Sequence, residues 1–166
     1  MKFKAVLFDL DGTLLHTLPD IRDAMNGVLA RYGLPQYDMG SYRDMVGWGI
    51  GRLSELALPA ESRSEVDAGE LAEEMRRAYM SHPLESSTPF EGIPELISSL
   101  HREAVPMAVL SNKVHELTNR LIRRTWGEDV FATVYGARDD VPMKPHPEAA
   151  HRIASELGVK PYEMIF

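Results

Sequence analysis

Hydrophobic and polar positions alternate along this chain in two rhythms. Ala5 to Phe8 is a short apolar run bounded by charge and turn chemistry, which predicts a buried strand. From about residue 17 to 82 the period becomes helical. Leu18, Ile21, Met25, Val28, Leu29 and Tyr32 mark one face, with Thr17 as cap, Pro19 in the first turn and Gly33 as stop. Ser41 to Val46 reads as a short helix capped by Ser41, and Gly47 to Gly51 as a bend. Arg52 to Leu58 reads as a helix closed by Pro59, and Glu61 to Met80 as one long amphipathic helix. His82 to Pro89 reads as a polar linker.

Strands and helices then alternate. Ile93, Leu96, Ile97 and Leu100 give a helix, and Val105 to Leu110 a strand ending at Ser111-Asn112. Val114, Leu117, Leu121, Ile122 and Trp126 give the next helix. Phe131 to Tyr135 reads as a strand broken by Gly136, and Ala149 to Leu157 as a helix ended by Gly158. Tyr162 to Phe166 opens another apolar run. This alternation predicts an α/β fold: a Rossmann-like parallel sheet with right-handed crossovers. The helical block interrupts it after the first strand. The expected division is an α/β core of residues 1–15 and 84–166 with an inserted helical cap of residues 16–83.

Bulk properties narrow the function. The 166 residues are 44% hydrophobic and 26% charged, as in a globular domain. A net charge of −7 argues against a nucleic-acid or membrane-surface partner. With no cysteine, thiolate nucleophiles, disulfides and Cys-type zinc sites are excluded. The apolar run at the start is too short for a signal peptide, so a cytoplasmic protein is expected.

The candidate chemistry gathers at strand ends. Asp9 and Asp11 are spaced i, i+2, so both can address one point at the carboxyl end of the first strand. Gly12 lets the backbone turn there. Two carboxylates aimed at one point repel unless a cation or shared proton relieves them, and a hard cation such as Mg²⁺ suits oxygen ligands. Ser111 and Asn112 follow the second strand, and Lys144 follows the third. A nucleophilic carboxylate, a second acid, a phosphate-binding hydroxyl and a lysine are what phosphoryl transfer through an aspartyl-phosphate requires.

Asp9-Leu10-Asp11-Gly12-Thr13-Leu14, Leu110-Ser111-Asn112-Lys113 and Lys144-Pro145-His146-Pro147 resemble, in order and context, three motifs of the haloacid dehalogenase-like phosphohydrolases. Val46-Gly47-Trp48-Gly49 and Asp139-Asp140-Val141 are similar to stretches of the phosphoglycolate phosphatases in that superfamily. The resemblance implies that Asp9 is the nucleophile and a Mg²⁺ ligand. Asp11 is then the general acid/base, with its main-chain carbonyl on the metal. Ser111 and Asn112 hold the phosphate, and Lys144 bridges phosphate and nucleophile. Trp48 and Gly49 are candidates for the substrate side of the cap. An acid at Asp11 favours phosphate transfer over dehalogenation.

The implied substrate is a small phosphorylated metabolite, with 2-phosphoglycolate as first choice. The alternatives are a sugar-phosphate phosphatase, a phosphomutase, a pyrophosphatase, or an inactive fragment serving as a binding module. The superfamily's fourth motif, Gly-Asp after a strand, has no counterpart after Tyr162–Phe166. The core is therefore expected to be truncated at its carboxyl end. The strand bearing Asp9 should then lack a neighbour and offer an exposed edge for homodimer formation. His16 reads as a cap-hinge residue, Lys113 as a first-turn helix residue, and Asp38 and Asp67 as ordinary loop or helix acids.

Overall fold

The computed structural model describes residues 3–82 and 84–166. The elements run β1 (Ala5–Phe8), β2 (Leu15–His16), α1 (Leu18–Arg31), α2 (Met39–Met45), α3 (Gly49–Ala57), α4 (Ala68–Ser81) and β3 (Thr88–Pro89). They continue with α5 (Ile93–Arg102), β4 (Met107–Val114), α6 (His115–Trp126), β5 (Thr133–Ala137), α7 (Glu148–Glu156) and β6 (Met164–Ile165). The chain forms two compact units, one running up to His16 and again from Pro89, the other spanning Thr17–Thr88.

The first unit is an α/β layer. Its sheet has the order β5-β4-β1-β6, and its strand pairs are parallel. The register sets Leu7 beside Ala108 and Leu110 beside Tyr135. Side chains alternate between faces. Leu7, Ala108, Leu110 and Tyr135 therefore pack with Val141, Ala149 and Ile153. Phe8 packs edge-on against Phe131, which also meets Trp126.

Three expectations change here. β1 is not an edge, because Ala5 and Val6 pair with Met164 and Ile165. The Lys4 N–H, which donates to the Glu163 carbonyl at 2.7 Å, ties in the approach to β6. The basis for a homodimer through an exposed β1 edge therefore falls away. β4 does not stop at Leu110 but runs through Ser111, Asn112 and Lys113 to Val114, with an irregularity in its pairing to β5. Nor does Gly136 break β5, which continues to Ala137. A Cβ on Gly136 would lie 2.5 Å from the His115 Cα and 2.6 Å from the Lys113 carbonyl oxygen. The glycine is there for close approach of backbones, not for a turn.

The second unit is helical. α1 buries Ile21, Met25, Val28 and Leu29; α4 buries Leu71, Met75 and Tyr79; α3 buries Leu53 and Ala57. Buried Tyr42 donates its hydroxyl to Asn26 Oδ1 at 2.8 Å, and burial pushes its phenol above the ordinary range.

The caps differ from expectation. Thr17 makes no side-chain capping bond to α1. Asp38 rather than Ser41 caps α2, accepting the Ser41 N–H at 2.8 Å. α3 starts at Gly49, so most of the expected bend is helical. The long helix predicted from Glu61 is a short 3-10 turn at Ala60–Ser62 followed by α4. Asp67 stops that helix from extending backwards, because its carboxylate accepts the Glu70 N–H at 3.0 Å as a cap. Of the expected linker, Pro83 lies outside the described residues, while Ser86 and Ser87 donate to the buried carboxylate of Asp20.

Gly136→Ala drives a methyl into backbone on two sides. It should cost about 3 kcal/mol, the upper end for overpacking, read as a lowered denaturant midpoint at unchanged slope. A second outcome concerns His115. Its Nδ1 accepts the Gly136 N–H at 3.2 Å, so that nitrogen must be unprotonated. Burial, and then the Arg138 guanidinium, hold its pKa below the ordinary 6.5, against the opposing pull of Glu116 and Asp140. The unfolded chain therefore takes up this proton at higher pH than the folded one. The contribution is present above the ordinary pKa of 6.5 and is lost as pH falls through the lower folded value. Thermal unfolding across that window should show a smaller acid loss in His115→Gln than in the wild type.

Candidate active site

The site lies at the carboxyl end of the sheet in the α/β unit. β1 ends at Phe8, and Asp9 follows directly. The chain then winds tightly. The Leu10 carbonyl accepts the N–H groups of Thr13, Leu14 and Leu15 at 3.0–3.3 Å, and the Gly12 N–H donates to the Leu15 carbonyl at 2.9 Å. Gly12 sits at φ +81°, a conformation that disfavours side chains, although a Cβ there would meet nothing within 4 Å. Its glycine is a backbone requirement, not a packing one. The Asp9 carboxylate is oriented by the Leu10 N–H, which donates to Oδ1 at 2.7 Å.

Each carboxylate faces an ammonium group. Lys144 Nζ is 2.9 Å from Asp9 Oδ1, and it also donates to the Leu110 carbonyl at 3.0 Å. Lys113 Nζ lies 3.0 and 3.4 Å from the two oxygens of Asp11. The Lys113 side chain is only 3% exposed, so this pair is largely withdrawn from water. Two acids and two lysines thus form a charge-balanced group, which relieves the repulsion expected of carboxylates at i, i+2.

The polar end of β4 is tied to the same group. Buried Ser111 accepts the Lys113 N–H on its Oγ at 3.2 Å. Asn112 uses both ends of its amide on one residue. Its Oδ1 accepts the Lys144 N–H at 2.9 Å, and its Nδ2 donates to the Lys144 carbonyl at 3.1 Å. Lys144 therefore links Asp9 with Asn112, and Lys113 links Asp11 with Ser111, the two sets meeting along β4.

The sequence pattern places Lys113 in the first turn of a helix, and the structure does not. The residue lies in β4, and α6 begins only at His115. Its signal was alternation: Ser111 and Lys113 share one side of an extended chain, as Asp9 and Asp11 do. Reading Ser111 as the strand's end concealed that. Trp48 and Gly49 belong to the helical unit, where Gly49 is the first residue of α3. Trp48 is 59% exposed, so it is not a core packing residue. His16 lies against the Phe90 ring. Asp140 pairs with Arg138 and Arg152.

The donor set suits a hard cation in kind. Asp9 and the main-chain oxygen of Asp11 are oxygen donors, and Mg²⁺ is commonly held by one or two carboxylates with substrate phosphate and water. Among the described residues no cluster of three acids or histidines forms a complete protein cage.

The chain matches a family model described as haloacid dehalogenase-like hydrolase over residues 3–166. It is 33% identical to the N-acetylmuramic acid 6-phosphate phosphatase of Pseudomonas aeruginosa, over 100% of this chain and 73% of that protein. It is 32% identical to a phosphoglycolate phosphatase of Rhodospirillum rubrum, over 95% of this chain and 68% of that protein. The fold matches the crystal structure of a predicted phosphoglycolate phosphatase from Haemophilus somnus with a TM-score of 0.89 at 23% identity, covering 99% of this chain and 76% of the other. The chain belongs to the haloacid dehalogenase-like hydrolases and, with these relatives, to their phosphatases.

Proposed function

We propose that this protein hydrolyses a small phosphomonoester through an aspartyl-phosphate, with 2-phosphoglycolate as the first-choice substrate. The observation that supports this most is the Asp9–Lys144 pair at 2.9 Å, with Asp11 two residues on along the same turn. The cycle starts with Asp11 carrying a proton taken up as the phosphate dianion binds. An Asp9 oxygen attacks phosphorus, and the bond to the leaving alkoxide breaks as Asp11 passes that proton to its oxygen. Water then attacks the phosphorus of the acyl phosphate and gives its proton to Asp11. The Asp9–phosphorus bond breaks, inorganic phosphate leaves, and both carboxylates return to their starting state.

Lys144 offsets charge on Asp9 and on the transferring group, and the Ser111 hydroxyl holds a phosphate oxygen. Asp9 and the Asp11 carbonyl would hold Mg²⁺, which supplies charge neutralisation to the phosphoryl oxygens when bound. The remaining specificity falls to the helical unit, with Trp48 and Gly49 as the proposed substrate-side residues. A second reading is a sugar-phosphate phosphatase. It is favoured by the Pseudomonas aeruginosa relative, whose named substrate is an amino-sugar phosphate.

Phosphate release tests both readings. Initial rates on 2-phosphoglycolate and N-acetylmuramic acid 6-phosphate should favour the first; a higher kcat/KM on the second would replace our substrate choice. Release should stop on chelation and return with added Mg²⁺. Asp9→Asn should lower kcat by at least about 10³-fold, as expected for loss of a nucleophile; full activity in that variant would sink the mechanism. Asp11→Asn should cost about 10²- to 10⁴-fold on an alkyl phosphate. The loss should be smaller on p-nitrophenyl phosphate, whose leaving group needs little protonation.

A further inference from the structure

We infer that Asn112 is a positioning residue for Lys144 and that it acts on the reaction through that lysine, not as a ligand of the phosphate. This rests on the phosphomonoester reading above. The segment from Pro142 to Pro147 has no helix or strand. Three of its six residues are proline and carry no N–H. The backbone donors left are those of Met143, Lys144 and His146. The His146 N–H is used inside the segment, on the Met143 carbonyl at 3.0 Å. A strand-like ladder cannot hold such a segment in place.

The Asn112 amide does so instead. It spans the N–H and the carbonyl of Lys144, one bond to each. These two bonds imitate the exchange that a neighbouring strand would make. Asn112 is itself 9% exposed and sits in β4, the strand paired with both β1 and β5. The clamp therefore refers the Lys144 backbone to the same strand whose Leu110 carbonyl accepts from Lys144 Nζ. Backbone and side-chain tip are both fixed on β4, and the tip arrives at Asp9.

The Asn112 amide thus commits its oxygen and one of its two N–H groups to the Lys144 backbone. This explains why asparagine suits the position. Serine can reach only one of the two groups. Aspartate accepts from the N–H but cannot donate to the carbonyl.

The experiment compares wild type, Asn112→Ala, Lys144→Ala and the double variant. It reads kcat, KM and competitive inhibition by inorganic phosphate, with Tm as a check on folding. Asn112→Ser replaces the alanine variant if that fails to fold. We expect Asn112→Ala to lower kcat on the order of 10²-fold, as a displaced catalytic group does. KM and the inhibition constant for phosphate should move by less than about threefold. In the Lys144→Ala background the same change should cost less than about threefold more, because its route of action is already gone.

A tenfold rise in KM and in the phosphate inhibition constant at unchanged kcat, on the order expected for a lost ground-state contact, would overturn the inference. So would full additivity in the double variant. Absence of phosphate release from the wild type would instead overturn the phosphatase mechanism. In that case amide exchange by NMR decides the clamp. Exchange of the Lys144 N–H should speed up by about tenfold or more in Asn112→Ala while that of Val109 stays unchanged; unchanged Lys144 exchange refutes it.

Discussion

Two carboxylates placed two residues apart at the end of a buried strand cannot both stay ionised without nearby positive charge. Much of the α/β unit can be read from that constraint. Asp9 meets Lys144 and Asp11 meets Lys113, each at about hydrogen-bond distance. Lys113 comes from β4, the neighbour of β1, so it can reach Asp11 only if those strands pair in the observed register. Lys144 comes from an irregular segment beyond β5, so that segment must be carried back over the strand ends. The charges thus constrain the strands as well as the chemistry.

The sheet is built to keep that register. β1 lies between β4 and β6, and its apolar side chains are covered on both faces. A slip by one residue would turn Leu7 and Asp9 to the wrong sides. At β5 the constraint is closer still. Gly136 leaves no room for a side chain against the start of α6, and its N–H is taken by His115. The turn into α6 is therefore held immediately after the polar end of β4. Rigidity at this point is useful because Ser111, Asn112 and Lys113 must keep their places to within a hydrogen bond.

Periodicity revealed the helices well where one face is apolar and the other charged, as in α1, α6 and α7. It failed where local polar chemistry competes with the helix. The apolar spacing continues through Val66, yet Asp67 prefers to cap, and α4 begins behind it. The same competition made Asp38, not Ser41, the start of α2. Among the candidate site residues, Asp9 and Asp11 stand out by their i, i+2 spacing at a strand end, and Lys144 by its place in a motif that resembles the family's. Lys113 does not. A lysine after Ser-Asn reads as the beginning of a solvated helix. Nothing in its local sequence says that a distant aspartate will make its burial tolerable. Gly136 was visible but misread, because a glycine for close approach and a glycine for a turn look alike without the third dimension.

The polar end of β4 shows how this burden is distributed. A serine, an asparagine and a lysine, all nearly buried in a central strand, would each be costly alone. None is alone. Ser111 takes the Lys113 N–H, Lys113 takes Asp11, and Asn112 takes both the N–H and the carbonyl of Lys144. The groups that satisfy these side chains are themselves the candidate reacting groups or their supports. Stability and chemistry therefore share the same bonds here. An apolar replacement at this strand end would ease the burial but leave Asp11 or the Lys144 segment without its partner. The strand keeps its polar residues because the carboxylates opposite require them.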